Sequence, residues 1–138
     1  MTTKHKNKSI ATLLAATLGS LGAHRFYLAG RRDQWAWLHF ISLPLSLLMT
    51  NLLFNLPLLV TMSPWVFSVL VSMFTALVLG LKSDEKWDAH YNADSGQTSE
   101  STWPLALLLV LTLGLGAMAL IFVLARSFDL LYTGGAYG

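Results

Sequence analysis

The sequence predicts an all-α, polytopic membrane protein with about four transmembrane helices. Three observations lead there. Of its 138 residues 54% are hydrophobic and only 12% charged, against about 25% charged in a soluble domain. No Asp, Glu, Lys or Arg occurs from Gln34 to Leu81, and that run holds two spans of about 20 residues with a turn between them. A separate run from Trp103 to Ala125 contains nine Leu, two Val, one Ile and one Phe, together favouring insertion by about 6 kcal/mol.

The first expected helix, near 9–23, lies in the stretch Lys8 to Arg32 that organises the chain. Ala11, Ala15, Gly19 and Ala23 recur every four residues, with Thr12, Ala16 and Ser20 in a parallel row and Leu14, Leu18 and Leu21 opposite. Small residues at this spacing let helix backbones approach closely in lipid, so the row reads as a packing face toward other helices of the chain or toward a second copy. The segment is short for a span: Ile10 to Ala23 covers about 21 Å against a hydrocarbon core of about 30 Å. Gly19 and Gly22 break it, and His24, Arg25, Phe26 and Tyr27 fall where the chain turns at a membrane surface. The N-terminus also has the layout of a secretory signal, with lysines, a dozen apolar residues and Ser20-Leu21-Gly22-Ala23.

The second helix is expected near 35–50, bent at Pro44, and the third near 64–81, with Ser63 as N-cap and Pro64 in its first turn. Asn51, Asn55 and Pro57 mark the turn between them. Residues 84–92 read as a short interfacial helix capped by Ser83, with Trp87 and Tyr91 four apart on a membrane-facing side. A polar linker covers 94–103. The last span is expected over 104–126, with Thr112 and Gly116 as a second small-residue contact, followed by a tail over 127–138.

Charge placement bears on orientation. The net charge is +2, and six of the nine Lys and Arg (Lys4, Lys6, Lys8, Arg25, Arg31, Arg32) flank the first helix. Cytoplasmic loops collect Lys and Arg, which puts 24–34 and 82–102 inside and the uncharged 51–63 outside. Lys4, Lys6 and Lys8 also belong inside, yet a spanning first helix must separate them from the 24–34 loop. Either that helix is re-entrant, or the three lysines stay outside. The expectation adopted is a spanning helix.

The residues from Lys8 through Leu13, Leu14, Ala15, Leu18, Gly19, Gly22, Ala23 and His24-Arg25-Phe26-Tyr27-Leu28 resemble the TM-two domain, a pair of membrane helices joined by a loop bearing His/Asp-Arg-Phe-Tyr. Ser83-Asp84-Glu85-x-Trp87-Asp88-x-x-Tyr91-Asn92 is similar to the segment that follows the domain in many proteobacterial members. The resemblance covers about residues 6–93 of an expected membrane domain over 1–93, leaves the last helix outside, and implies a multi-pass bacterial inner-membrane protein of undetermined biochemical role. Ala29 stands where the family usually has Gly, and the acidic residue of the later helix in many members has no counterpart here.

No catalytic constellation is expected. The chain has no cysteine, no paired acid and base in its membrane segments and no phosphate loop. His24, His39, His90, Asp84 and Asp88 lack metal-ligand spacing, so no metal and no cofactor is expected. His24 and Arg25, with Phe26, Tyr27, Arg31 and Arg32, suit either a structural turn or contact with lipid phosphate or a partner's carboxylate. The expected partners are the bilayer, anionic lipid, another membrane protein or a second copy, and not nucleic acid. Two functions are weighed: an accessory assembly module, and a small channel or transporter subunit lined by His39, Ser42, Ser46 and Asn51.

Overall fold

The computed structural model describes residues 4–137, and among them every regular element is helical. The elements are α1 (Lys8–Leu18), a single 3-10 turn (Gly19–Leu21), α2 (Ala23–Ala29), α3 (Gln34–Leu52), α4 (Leu58–Thr61), α5 (Ser63–Leu81), α6 (Asp84–Tyr91) and α7 (Trp103–Thr133). Two of them, α5 and α7, are long and apolar enough to cross a membrane; α1 with its 3-10 turn is shorter, and α3 is diluted by Gln, His, Ser, Thr and Asn. The expected count of about four spans therefore reduces to two clear candidates.

The first segment is where the structure departs most from expectation. Instead of one helix over 9–23, α1 begins at an Asn7 cap, whose side chain accepts from the Ile10 N–H, and ends at Leu18. Gly22 then adopts the left-handed conformation at φ 77°, which a residue without Cβ does at little cost. The chain reverses there, and α2 runs back toward the N-terminus. The Asn7 N–H donates to the Tyr27 hydroxyl at 2.9 Å, and Lys6 Nζ donates to the Tyr27 carbonyl at 2.7 Å. Those contacts correct the spanning first helix: its entry and its exit lie at the same end of the molecule.

The small-residue row is a contact within the chain. Ala11 and Ala15 are fully buried, forming one core cluster with Ala76 and Leu79 of α5 and Trp87 of α6. Gly19 lies directly against Ser72 of α5, and α1 runs antiparallel to α5 with Lys8 beside Lys82. Ala23 is only half-buried. On the far side of α5, Thr112 of α7 is buried and Gly116 faces Met73.

Other boundaries also shift. Asp33 caps α3 by accepting from the Trp35 N–H, and the helix continues through Pro44 to Leu52. Ser63 is the first residue of α5 and not its cap, because its hydroxyl donates to the Val60 carbonyl of the preceding turn. Ser83 caps α6 as its position suggests. Trp87 is fully buried, its indole N–H donating to the Lys6 carbonyl at 2.9 Å, so it faces the protein and not the membrane. The last helix passes residue 126 and ends at Thr133, because the Arg126–Asp129 pair lies along it instead of ending it.

The reversal at Gly22 can be tested by one added methyl group. A Cβ at Gly22 would run into the Ala36 carbonyl, and its φ strains any other residue, which costs about 1–3 kcal/mol before the clash is counted. Gly114 of α7 has open space around it. Gly22→Ala should lower the thermal midpoint of the detergent-solubilised protein by several degrees, while Gly114→Ala leaves it unchanged or raises it.

Candidate functional site

The 3-10 turn and α2 deliver His24 into the interior. Its side chain is 1% exposed, wedged beside Gly19, and its ring meets that of His39 edge to face at 5.7 Å. Neither His24 ring nitrogen has a hydrogen-bond partner among the described residues. An unsatisfied buried polar group costs about 1–3 kcal/mol. Gly19 borders it directly, since a Cβ there would stand 3.4 Å from His24 Nδ1 and collide with Ser72, while a side chain at Gly22 would collide with the Ala36 backbone.

Around the two imidazoles runs a seam of hydroxyls shared by α3 and α5. The Ser68 hydroxyl donates to the Ser20 carbonyl at 2.9 Å and lies 2.6 Å from His39 Nδ1. Ser46 Oγ accepts from the Trp65 N–H at 3.0 Å, and Thr50 donates to Thr61 at 3.0 Å. Ser42 and Ser72 donate to carbonyls of their own helices. Every one of these groups is bonded inside the chain, as hydroxyls in membrane helices usually are. Asn51 bonds its own helix at the Leu47 carbonyl and stays exposed.

Arg25 leaves the turn toward the surface and pairs with Asp33, Nε to Oδ2 at 2.6 Å. That hydrogen bond, the largest influence, holds the Asp33 carboxyl below its ordinary range. Asp33 therefore links the turn to the start of α3. Phe26 packs edge to face on Trp37 at 5.4 Å, while Arg31 and Arg32 are exposed.

At the end of the molecule where the N-terminus lies, α6 is clamped onto the α1–α2 hairpin. Lys8, 5% exposed, forms an ion pair with Asp84, and its Nζ also donates to the Lys82 carbonyl at 2.9 Å. The Asn92 side chain accepts from the Lys6 N–H at 2.6 Å and donates to the Lys6 carbonyl at 3.1 Å. Tyr91 packs tilted against Trp87 with ring centroids 4.4 Å apart, and burial pushes its hydroxyl above the usual tyrosine range. The acids of α6 then tie down the linker: Asp84 accepts from the Ser101 N–H and hydroxyl, and Asp88 from those of Ser99. The Lys8 hydrogen bond leads in holding Asp84 below its ordinary range, and the Ser99 hydroxyl leads in lowering Asp88 to about 2.

Of the residues singled out in the sequence, the structure gathers Ala11, Ala15, Gly19, Gly22 and His24 at the hairpin. Arg25, Phe26 and Tyr27 lie along its return arm, and Thr112 and Gly116 form a separate contact. Sequence reasoning missed Ser68 and Ser72, Asp33, and the Lys8–Asp84 pair. The first two had a signal, a four-residue spacing matching that of the small row on α1. The ion pair joins residues 76 positions apart and had none. Among the described residues no group of three or more His, Asp or Glu is placed to hold a metal ion.

The pH dependence of this clamp follows from its acids. A carboxyl whose folded pKa is depressed stabilises the fold above its unfolded value, about 4, and that contribution fades as pH falls toward the folded value, about 2 for Asp88. Pepsin nicking within 93–102 should therefore accelerate between pH 4 and pH 2 in the wild type. In Asp88→Asn, proteinase K nicking of the same stretch should be several-fold faster already at neutral pH.

The model of the TM2 domain family matches residues 4–53, from the N-terminal lysines through the hairpin to the end of α3. No curated protein and no solved structure matches the chain. The match stops before α5 and α6, so the similarity read at Ser83–Asn92 lies outside it. With two apolar helices beyond a segment that matches that family's model, this is a membrane protein that carries a TM2 domain over residues 4–53.

Proposed function

We propose that the chain is a multi-pass protein of the bacterial inner membrane that acts as a non-catalytic assembly module. Its cationic end would bind anionic lipid headgroups or the acidic segment of another membrane protein. In this reading α3, α5 and α7 cross the bilayer, and the α1–α2 hairpin enters from the cytoplasmic side and returns to it. The observation that carries it is the gathering of Lys4, Lys6, Lys8, Arg25, Arg31, Arg32, Lys82 and Lys86 around the hairpin and α6, with Arg126 alone near the opposite end of α7. Cytoplasmic faces collect Lys and Arg, and a returning hairpin lets the N-terminal lysines and the 24–34 loop share one side.

The contact surface differs from the one the small-residue row suggested. Ala11, Ala15 and Gly19 are occupied by α5, which leaves the exposed Arg31, Arg32, Lys4 and Lys86 to meet a partner. The alternative, a small channel or transporter subunit, draws on His39, Ser42, Ser46 and Asn51. The internal hydrogen bonds of that seam favour helix association over a conducting path.

Two measurements test the proposal. The chain lacks cysteine, so single-cysteine variants report cleanly. In intact cells His5→Cys and Arg31→Cys should both be protected from an impermeant thiol reagent while Asn55→Cys is labelled. Labelling of just one of the first two would overturn the hairpin topology. Separately, Arg31→Glu with Arg32→Glu should reduce anionic lipid retained through mild detergent extraction, and partner crosslinks in native membranes, by about tenfold or more, since each surface cation is worth about 1 kcal/mol at such a membrane. Unchanged retention and crosslinking together would remove the binding role.

A further inference from the structure

We infer that the cavity between α3 and α5 binds a neutral amphiphile that donates a hydroxyl proton: a phenol, hydroquinone or alcohol head on an apolar tail. The cavity measures about 260 Å³, just below the roughly 300 Å³ at which drug-sized sites begin, and so suits one ring and its substituents. Its walls include Trp35, Leu45, Phe67 and Val71; its polar lining is His39, Ser42 and Ser68, and no charged residue borders it. Trp35 and Phe67 are 63% and 70% exposed, so the cavity opens sideways, toward the hydrocarbon that surrounds a membrane helix.

The polarity of the ligand follows from counting protons. A serine hydroxyl has one hydrogen to give, and that of Ser68 goes to the Ser20 carbonyl at 2.9 Å. The 2.6 Å contact between Ser68 Oγ and His39 Nδ1 therefore has to be donated by the imidazole. A cation within a membrane helix is costly, so the ring is neutral and its proton is on Nδ1. Nε2 is left as a bare lone pair. It bonds no described residue, and it is not among the sealed, unpartnered atoms, which are the two His24 nitrogens and Trp65 Nε1. The Ser42 hydroxyl is likewise committed, to the His39 carbonyl at 2.6 Å.

The polar lining from these three residues thus offers acceptors and no free donor. Carboxylates and phosphates meet lone pairs there, and a cation meets no carboxylate. A head with only carbonyl oxygen finds a donor only at the exposed indole of Trp35. A hydroxyl group satisfies His39 Nε2 directly, and a flat ring on it gains the aromatic walls.

The test uses the full chain, ¹⁵N-labelled at histidine, in lipid nanodiscs, with the His39 resonances assigned by their loss in His39→Gln. In the free protein Nε2 should resonate as the unprotonated nitrogen. Adding 4-nonylphenol should move it upfield, while 4-nonylanisole, the methyl ether with no proton to donate, should not. Leu45→Trp, which fills the cavity, should abolish the response. A response to 1-nonanol equal to that of the phenol would assign the site to aliphatic hydroxyl lipids, and a response to the phenol alone to phenolic heads. A proton found on Nε2, no shift with the phenol, or equal shifts with phenol and anisole would overturn the assignment.

Discussion

The fold depends on a close backbone contact, Gly22 in its left-handed conformation against the carbonyl of Ala36. With no Cβ in the way, the 3-10 turn can press on the first turn of α3 and reverse the chain inside the protein. Backbone that is neither helix nor barrel is tolerated at membrane depth only where protein covers it. In the proposed topology the cover is α3 on one side and α5 on the other, with the Ser20 carbonyl satisfied by Ser68. The other features at this end follow. Because the chain returns, Tyr27 meets Lys6 and Asn7, α6 can close over both, and Lys8 can be buried with its charge answered by Asp84.

The interior is sorted by size and hydrogen bonding rather than by apolarity. Buried positions include Thr12, Ser42, Ser46, Thr61, Ser68, Ser72 and Thr112, whereas Leu13, Leu38, Phe67, Phe74 and much of α7 face outward. In water that would be an inside-out protein. In lipid the exterior is as apolar as leucine, so burying leucine gains little, and close approach with shared hydrogen bonds is what holds helices together. The packing of Ala11, Ala15 and Gly19 on α5 and the hydroxyl seam between α3 and α5 are two forms of that one mechanism.

This sorting explains what could be read from the sequence. Long apolar runs made α5 and α7 plain, Ser83 marked the start of α6, and the four-residue spacing identified Ala11, Ala15 and Gly19 as a packing face. The break at Gly22 was legible but the direction of the chain beyond it was not, because a glycine that ends a helix does not say whether the chain goes on across the membrane or returns. Only the lysines on both flanks hinted that the segment returns. Trp87 was misassigned for a related reason: an aromatic residue next to a membrane helix has the composition of an interfacial anchor, and only its distant partner, the Lys6 carbonyl, makes it a core residue. Aromatic girdle and aromatic core look alike until tertiary contacts separate them.

The same reversal bears on how such a domain can work. A first helix that spanned the bilayer would offer its small-residue face to any neighbour, whereas a hairpin held against α5 spends that face internally and presents Arg31 and Arg32 instead. Arg25, tied to Asp33, connects this cationic loop to the start of α3. One turn later α3 carries His39, which meets His24 at the foot of the hairpin. In the proposed reading, headgroup contact at the loop and occupancy of the α3–α5 cavity act on one short, continuous set of contacts. Coupling between two such sites would need a physical link, and the contacts on hand for one are the Arg25–Asp33 pair, the first turns of α3 and the edge-to-face contact of His39 with His24.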